Sequence, residues 1–402
     1  MNAPPASVVI VGGGLAGYTL ADALRRRDYA GTITIIDREP ELYDRPPLSK
    51  AAFVGDSQLA DLAFASQEAL AARGIEARTG RTVTELVPGG VITDDGQRSN
   101  GDAIVLATGG SARRLSFPGD DAPIVHTLRT FADAQRIRAG LRPGARALVV
   151  GAGLIGAELT ASMRALDVEV TLIDPVEIPL AAAAGEHVAR RLHAMHADRG
   201  VDTRITTLAE LMPDGSAWVA VLADGSRLPI DLVVVGAGLI PDTRLAEAAG
   251  LEVDDGIVVD ERHEARHGVY AIGDVARTRA ADGTLSRRAE HWEAAQLDAL
   301  ELAEVLVGGT PAPRGASWWW SDRYDAHVEG VGRMTGPGET LLRGDHAALH
   351  LDDGHLVGAV SIDDANLVRA ARRIIDQRVP VSAAELTDPT IPLRRLLAAA
   401  RT

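Results

Sequence analysis

Ser7-Val8-Val9-Ile10-Val11 runs directly into Gly12-Gly13-Gly14-Leu15-Ala16-Gly17. The first stretch reads as a short buried strand, because β-branched residues without polar alternation suit a sheet covered on both faces. The glycines permit a tight turn, and the following residues read as a helix ending near Arg25-Arg26-Arg27, basic as a helix C-terminus prefers. A second strand, Thr32 to Ile36, ends at Asp37, 20 residues after Gly17. The unit returns 139 residues later: Ala147 to Val150, then Gly151-Ala152-Gly153-Leu154-Ile155-Gly156, a helix, and a strand from Val168 to Ile173 that ends at Asp174. A lone G-x-G-x-x-G is weak evidence. Two of them, each between a strand and a helix and each followed by a strand-ending acid, spell a dinucleotide fingerprint. The helix N-terminus receives a pyrophosphate and the acid accepts hydrogen bonds from ribose hydroxyls. Two nucleotide sites on one chain point to redox transfer between two cofactors.

Further α/β signals surround these units. Asp102 to Ala107 and Asp231 to Val235 are buried strands, each running into a turn of small residues. From Ser317 the texture changes to short strands, turns such as Asp352-Asp353-Gly354 and an arginine-rich helix from Ala365 to Ile375, which suggests a separate α+β domain. The expected fold class is α/β, with two Rossmann-like domains and a C-terminal α+β domain.

Composition narrows the chemistry. The 402 residues contain no cysteine, which excludes disulfides, thiolate zinc sites, protein-held iron–sulfur clusters and cysteine nucleophiles. The net charge of −15 argues against nucleic acid or an anionic membrane as the main partner. The start lacks a basic leader, no apolar run is long enough to span a bilayer, and the cytoplasm is the default location. Forty of the 41 basic residues are arginine, leaving Lys50 as a candidate for a site that needs a compact ammonium. After Asp174 come Pro175, Val176 and Glu177, with no arginine before Arg190, so a 2′-phosphate would meet like charge and NADH is favoured over NADPH.

Three more motifs accompany the fingerprints: Tyr43-Asp44-Arg45-Pro46-Pro47-Leu48-Ser49-Lys50, Val269-Tyr270-Ala271-Ile272-Gly273-Asp274, and Trp318-Trp319-Trp320-Ser321-Asp322. With them, and with the turns Ala107-Thr108-Gly109-Gly110 and Gly236-Ala237-Gly238-Leu239-Ile240-Pro241, the whole chain resembles the ferredoxin reductases of oxygenase systems. These are two-dinucleotide-domain flavoproteins related to glutathione reductase.

The resemblance implies FAD at the first fingerprint, NADH at the second, and an NAD domain inserted into the FAD domain. The boundaries would be 1–112 and 241–316 for FAD, 113–240 for NAD and 317–402 for the C-terminal domain. It implies FAD contacts from Gly12, Gly14, Leu15, Ala16, Gly17, Asp37 and Arg38, and from Arg45, Lys50, Ala107, Thr108, Gly109 and Arg113. Gly273, Asp274, Glu290, His291, Trp292 and Trp320 complete that set. For NAD it implies Gly151, Gly153, Leu154, Ile155, Gly156, Glu158, Asp174, Gly236, Ala237 and Gly238. Both ribose acids are Asp where the family often has Glu, Ala112 stands where proline is usual, and Ala181 to Ala184 replaces a more charged segment.

By the same resemblance Lys50, paired with Glu158, lies near flavin N5, where a cation stabilises the charge that hydride brings. Disulfide reductases of the wider group relay electrons through a cysteine pair, which this chain cannot do. The resemblance therefore implies outward transfer, one electron at a time, to a [2Fe–2S] ferredoxin serving a cytochrome P450 or another oxygenase. Trp318 and Trp320 alternate along an expected strand and face the flavin, the docking surface or ordinary core. Ala365 to Thr402 holds seven arginines and three acids, so Arg369, Arg372, Arg373 and Arg378 are docking candidates or a solvated helix face. The competing functions are an NADH oxidase or quinone reductase, and a redox-sensing interaction flavoprotein similar to apoptosis-inducing factor. His263-Glu264-Ala265-Arg266-His267 fits the zinc-protease pattern H-E-x-x-H, but it lies between strands rather than on a helix, and no metal is expected there. His193 and His196 are expected at the surface.

Overall fold

The computed structural model describes residues 3–215 and 217–399. The chain divides into two compact units, Met1–Pro46 with Ser57–Ser111 and Leu239–Pro313, and Pro47–Asp56 with Ala112–Gly238 and Arg314–Thr402. The chain passes between units at 46/47, 56/57, 111/112, 238/239 and 313/314.

In the first unit a six-stranded sheet runs in the order Glu264–Arg266, Val269–Ala271, Ala103–Leu106, Ser7–Val11, Thr32–Ile36, Ile75–Arg78. All neighbours are parallel except the first pair. The strand Ser7–Val11 shows why its residues alternate in direction but not in polarity. Val8 and Ile10 pack under the helices Leu15–Arg26 and Trp292–Leu306, while Val9 and Val11 pack with Ile257, Val259 and Leu251 on the other face. Each such fully buried side chain contributes roughly 1.5–3 kcal/mol.

The second unit repeats the plan. Its five-stranded parallel sheet has the order Asp202–Ile205, Glu169–Asp174, Arg146–Val150, Leu232–Val235, Val125–Thr127. A second sheet in the same unit is antiparallel, ordered Trp318–Arg323, Ala326–Gly332, His355–Ile362, Ala347–Asp352, Glu339–Arg343. Helix Ala365–Asp376 covers one face through Leu367, Val368, Ala371 and Ile374. The other face is covered by helix Ala181–Asp198, whose Ala184, Val188, Ala189 and Leu192 pack on Val328, Met334, Ala348 and Val360. That shared core is the physical reason residues 314–402 cluster with 112–238. The helix breaks at Gly185 (φ 69°), where a Cβ would lie 3.2 Å from the Met334 methyl.

Candidate functional site

The two glycine turns are conformational duplicates. Gly12 and Gly151 have φ of 105° and 103°, a left-handed region that other residues rarely enter. Gly14 and Gly153 sit at the helix N-termini with φ/ψ of −66°/−170° and −66°/−172°, and no side chain caps either helix. The leading amides of both helices are thus left for a partner outside the helix. A Cβ on Gly14 or Gly153 would meet nothing within 4 Å, whereas a Cβ on Gly17 or Gly156 would strike the carbonyl oxygen of Gly12 or Gly151 at 1.9 or 2.0 Å. Each turn therefore has two glycines that close it and one that leaves a cradle open above it, which is the shape a pyrophosphate requires.

Each strand-ending acid latches its turn. Asp37 accepts a hydrogen bond from the Gly13 amide and another from the Glu39 amide at 2.7 Å. Asp174 accepts from the Ala152 and Val176 amides, both at 2.8 Å. A carboxylate has about four acceptor sites, so each acid retains acceptor capacity for ribose hydroxyls. Arg190 lies 3.8 Å from Glu177, and its guanidinium is held by Glu186 at 2.8 Å.

Of the other first-unit candidates, Ala107 packs against the first turn, its carbonyl oxygen standing 2.2 Å from where a Cβ on Gly12 would lie. Arg38 pairs with Asp242 at 3.1 Å. Asp242 is partly buried, which raises its pKa, but the guanidinium groups of Arg244 and Arg38 outweigh that and hold it low. Thr108 donates to the Asp242 carbonyl at 2.8 Å, Gly109 is left-handed (φ 60°), and a Cβ on Gly273 would come 3.0 Å from the Ala16 methyl. Arg45 lies over the Tyr43 ring, Glu290 holds Arg288 at 2.7 Å, His291 caps the last helix of the unit, and Trp292 donates to Asp44 at 3.1 Å.

Lys50, Glu158, Arg113 and Trp320 belong to the second unit. Arg113 donates its amide to the Gly238 carbonyl at 2.9 Å, bringing two expected site segments together. The segment 47–56 is tied to helix Leu154–Arg164 by residues one turn apart. Ser162 donates to the Ser49 carbonyl at 2.7 Å, and the Ser49 hydroxyl donates to Glu158 at 2.6 Å. Arg138 adds bonds to the carbonyls of Phe53 and Val54. Glu158 is only 6% exposed, and its carboxylate also receives the Ser321 hydroxyl at 2.6 Å and the Lys50 ammonium at 3.3 Å. Those donors offset the cost of burying the charge.

Lys50 is shared. Its Nζ lies 2.7 Å from Asp322 as well as 3.3 Å from Glu158, and 5.3 Å from the centre of the Trp320 ring. Trp320 in turn stacks on Trp318 at 5.0 Å. The result is a cation clamped between two carboxylates beside an aromatic pair.

Residues 6–299 match the pyridine nucleotide-disulphide oxidoreductase family, and residues 318–397 match the reductase C-terminal family. The chain belongs to the pyridine nucleotide-disulphide oxidoreductases. It is 36% identical to the anthranilate 1,2-dioxygenase system ferredoxin–NAD(+) reductase component of Burkholderia cepacia, covering 99% of this chain and 100% of that one. It is 34% identical to putidaredoxin reductase of Pseudomonas putida, covering 98% and 97%. Its structure is similar to putidaredoxin reductase in a covalent complex with putidaredoxin, with a TM-score of 0.92, 32% identity and full coverage of both chains. With no cysteine, this pyridine nucleotide-disulphide oxidoreductase has no thiol pair with which to perform the disulphide chemistry of the family name.

The remaining expectations divide. In H-E-x-x-H, Glu264–Arg266 is a strand, with His263 buried and the His267 side chain 95% exposed, so the two histidines share no helix face. His263 instead contacts Glu301 at 3.2 Å. His196 corrects the surface expectation. It is fully buried, with Nδ1 2.7 Å from the Tyr324 hydroxyl, because it lies on the helix face that covers the C-terminal sheet. Burial, reinforced by the charge of Arg323, pushes its pKa down to about 3. Of the four docking arginines, Arg369 and Arg373 are exposed and line a groove of about 480 Å³ together with Arg343 and Arg394. Arg372 faces Asp376 at 4.0 Å, and Arg378 follows the helix in a left-handed turn. Arg401, counted in the local charge, lies outside the described residues.

Sequence reasoning missed Asp322 as the partner of Lys50 and Ser49 and Ser321 as partners of Glu158. Ser49, Ser321 and Asp322 stood inside quoted motifs, but nothing in their spacing said which would meet. It also missed His327, which has no motif at all.

Proposed function

We propose that this chain is an FAD-dependent NADH:ferredoxin reductase that supplies a [2Fe–2S] ferredoxin serving a cytochrome P450 or another oxygenase. The observation that carries the reading is the pair of duplicate, acid-latched glycine turns in a chain without cysteine. Residues 1–112 and 241–316 would bind FAD, 113–240 NADH, and 317–402 would form the C-terminal domain. The cytoplasm is part of the same proposal; separately, among the described residues no helix is long and apolar enough to cross a membrane. FAD, when bound, supplies acceptance of two electrons as hydride from NADH and their release one at a time. The chain's residues hold and orient. The helix N-termini at Gly14 and Gly153 receive pyrophosphates, Asp37 and Asp174 take ribose hydroxyls, and Lys50 brings a fixed positive charge held by Glu158. Arg369 and Arg373 offer an acidic ferredoxin a cationic edge on an otherwise acidic protein.

NADH-driven cytochrome c reduction with and without added [2Fe–2S] ferredoxin tests the assignment. Turnover should depend strongly on the ferredoxin. Fast turnover on oxygen or quinone without it would instead identify an oxidase or quinone reductase, and slow turnover on every acceptor would identify a sensing protein. Gly17→Ala should be purified with little flavin absorbance, since its Cβ cannot coexist with the Gly12 carbonyl at 1.9 Å. A fully flavin-loaded Gly17→Ala protein would remove the first turn from the FAD site.

A further inference from the structure

We propose that His327 is a positioning residue for Lys50, holding Asp322, and through it the ammonium, while the imidazole ring carries both of its protons. The inference rests on the reading of Lys50 as a functional cation, and all the groups involved lie within the second unit.

The arrangement follows from strand register. On strand Trp318–Arg323, residues 318, 320 and 322 share one face, because side chains alternate. On the antiparallel neighbour Ala326–Gly332, His327 stands directly opposite Asp322 and Glu329 directly opposite Trp320. Directly opposed side chains in such a pair are close enough to interact. A ladder results. Lys50 Nζ lies 2.7 Å from Asp322 Oδ2, Asp322 Oδ1 lies 2.5 Å from His327 Nδ1, and His327 Nε2 lies 2.9 Å from Glu329 Oε1. Glu329 Oε2 accepts from the Trp318 indole at 3.0 Å. The two oxygens of Asp322 are thus divided between a lysine and a histidine.

Only the imidazolium can donate on both sides of this ladder. A neutral ring has one N–H, so its other nitrogen would turn a lone pair toward a carboxylate oxygen. One of the two contacts then opens, and where it is the one to Asp322, that carboxylate is no longer fixed in place beside Lys50. The surrounding charges favour the protonated state. Asp322 faces the ring from the neighbouring strand and Glu329 from its own, while Asp363, at the end of strand His355–Ile362, accepts the His327 amide at 2.8 Å. The cations nearby are occupied, Lys50 by Asp322 and Glu158, and Arg199 by Asp325 at 2.9 Å. Partial burial of His327 works against its charge, but its bonds to Asp322 and Glu329 outweigh that and hold its pKa above the ordinary value.

Because the chain has one lysine, the proposal has a readout that does not depend on turnover. The ¹³Cε shift of Lys50 in ¹³C-lysine-labelled, FAD-loaded protein should show an inflection at the pH where His327 titrates, and none in His327→Gln. His327→Arg, with a permanent charge and a planar fork, should hold the low-pH shift across the range. Flavin reduction by NADH should fall roughly two- to fivefold as pH rises through the same point, as expected for a partly exposed pair. The reduction rate should lose that step in both variants. A wild-type lysine shift without the inflection, or one that persists unchanged in His327→Gln, would overturn the proposal. If Lys50→Ala reduces its flavin at the wild-type rate while the inflection stands, the positioning role survives and the functional reading of Lys50 fails.

Discussion

Lys50→Ala is expected to slow the reduction of bound flavin by NADH by up to about a thousandfold at saturating NADH. A unit charge at about 4 Å in a medium of effective dielectric about 20 is worth up to ~4 kcal/mol, and each ~1.4 kcal/mol is a decade in rate. Lys50 can act at that strength because it is held. Its side chain is 18% exposed and clamped between Glu158 and Asp322, so little reorganisation is needed when charge develops near it. The substitution also leaves two carboxylates without their cation, one of them buried. For that reason Glu158→Gln serves as the companion, removing the charge while its amide oxygen accepts from one of Ser49 and Ser321 and its NH2 donates to the other hydroxyl. It should bind NADH and slow reduction by less than Lys50→Ala. The measurement is the single-turnover rate in a stopped-flow spectrometer, with thermal unfolding to confirm that segment 47–56 remains docked. An unchanged rate in a folded Lys50→Ala protein would remove Lys50 from the reaction.

The largest expected effect on stability comes from His196. Its folded pKa of about 3 lies below the ordinary value near 6.5, so the unfolded chain takes up a proton first as the pH falls. The contribution is complete above about pH 6.5 and is lost progressively down to about pH 3. At ~1.4 kcal/mol per unit, the full loss is on the order of 5 kcal/mol, and at pH 5 it is already about 2 kcal/mol. Either figure is a large part of the 5–15 kcal/mol by which domains are usually stable. Burial on the sheet-facing side of helix Ala181–Asp198 is the main cause. Arg323 adds repulsion, for it is itself nearly fully buried and its own pKa is pushed down to about 10. Denaturant unfolding at pH 7 and pH 5 should show a smaller pH-dependent loss for His196→Phe than for the wild type. The phenylalanine protein will be less stable at both values, because the Tyr324 hydroxyl loses its partner. The difference between the two slopes is therefore the quantity to compare, and equal slopes would exclude His196 as the acid-sensitive group.

Much of this protein was legible along the chain. The strands Ser7–Val11 and Thr32–Ile36 have the ends expected from their residues, and both fingerprints lie between strand and helix with Asp37 and Asp174 against the turns. These are local signals. A glycine with φ near 105° and a β-branched run buried on two faces leave their mark within a dozen residues. The pairing of Lys50 with Glu158 follows from the family resemblance rather than from geometry, and nothing along the chain marks Asp322 as the second partner. Nothing within 100 residues of Lys50 states that a strand beginning at Trp318 will bring a carboxylate to 2.7 Å from its ammonium.

The sequence by itself determined the two nucleotide-turn units, the lack of any thiol relay and the single lysine, because each is a property of short stretches or of composition. Tertiary structure decided the rest. Packing helix Ala181–Asp198 onto the C-terminal sheet buried His196 and lowered its pKa, and antiparallel register set His327 opposite Asp322. A side chain's charge state depends on what surrounds it in space: Tyr324 reaches His196 from 128 residues away and Asp322 reaches Lys50 from 272, while His327 meets Asp322 only because the two strands pair in that register.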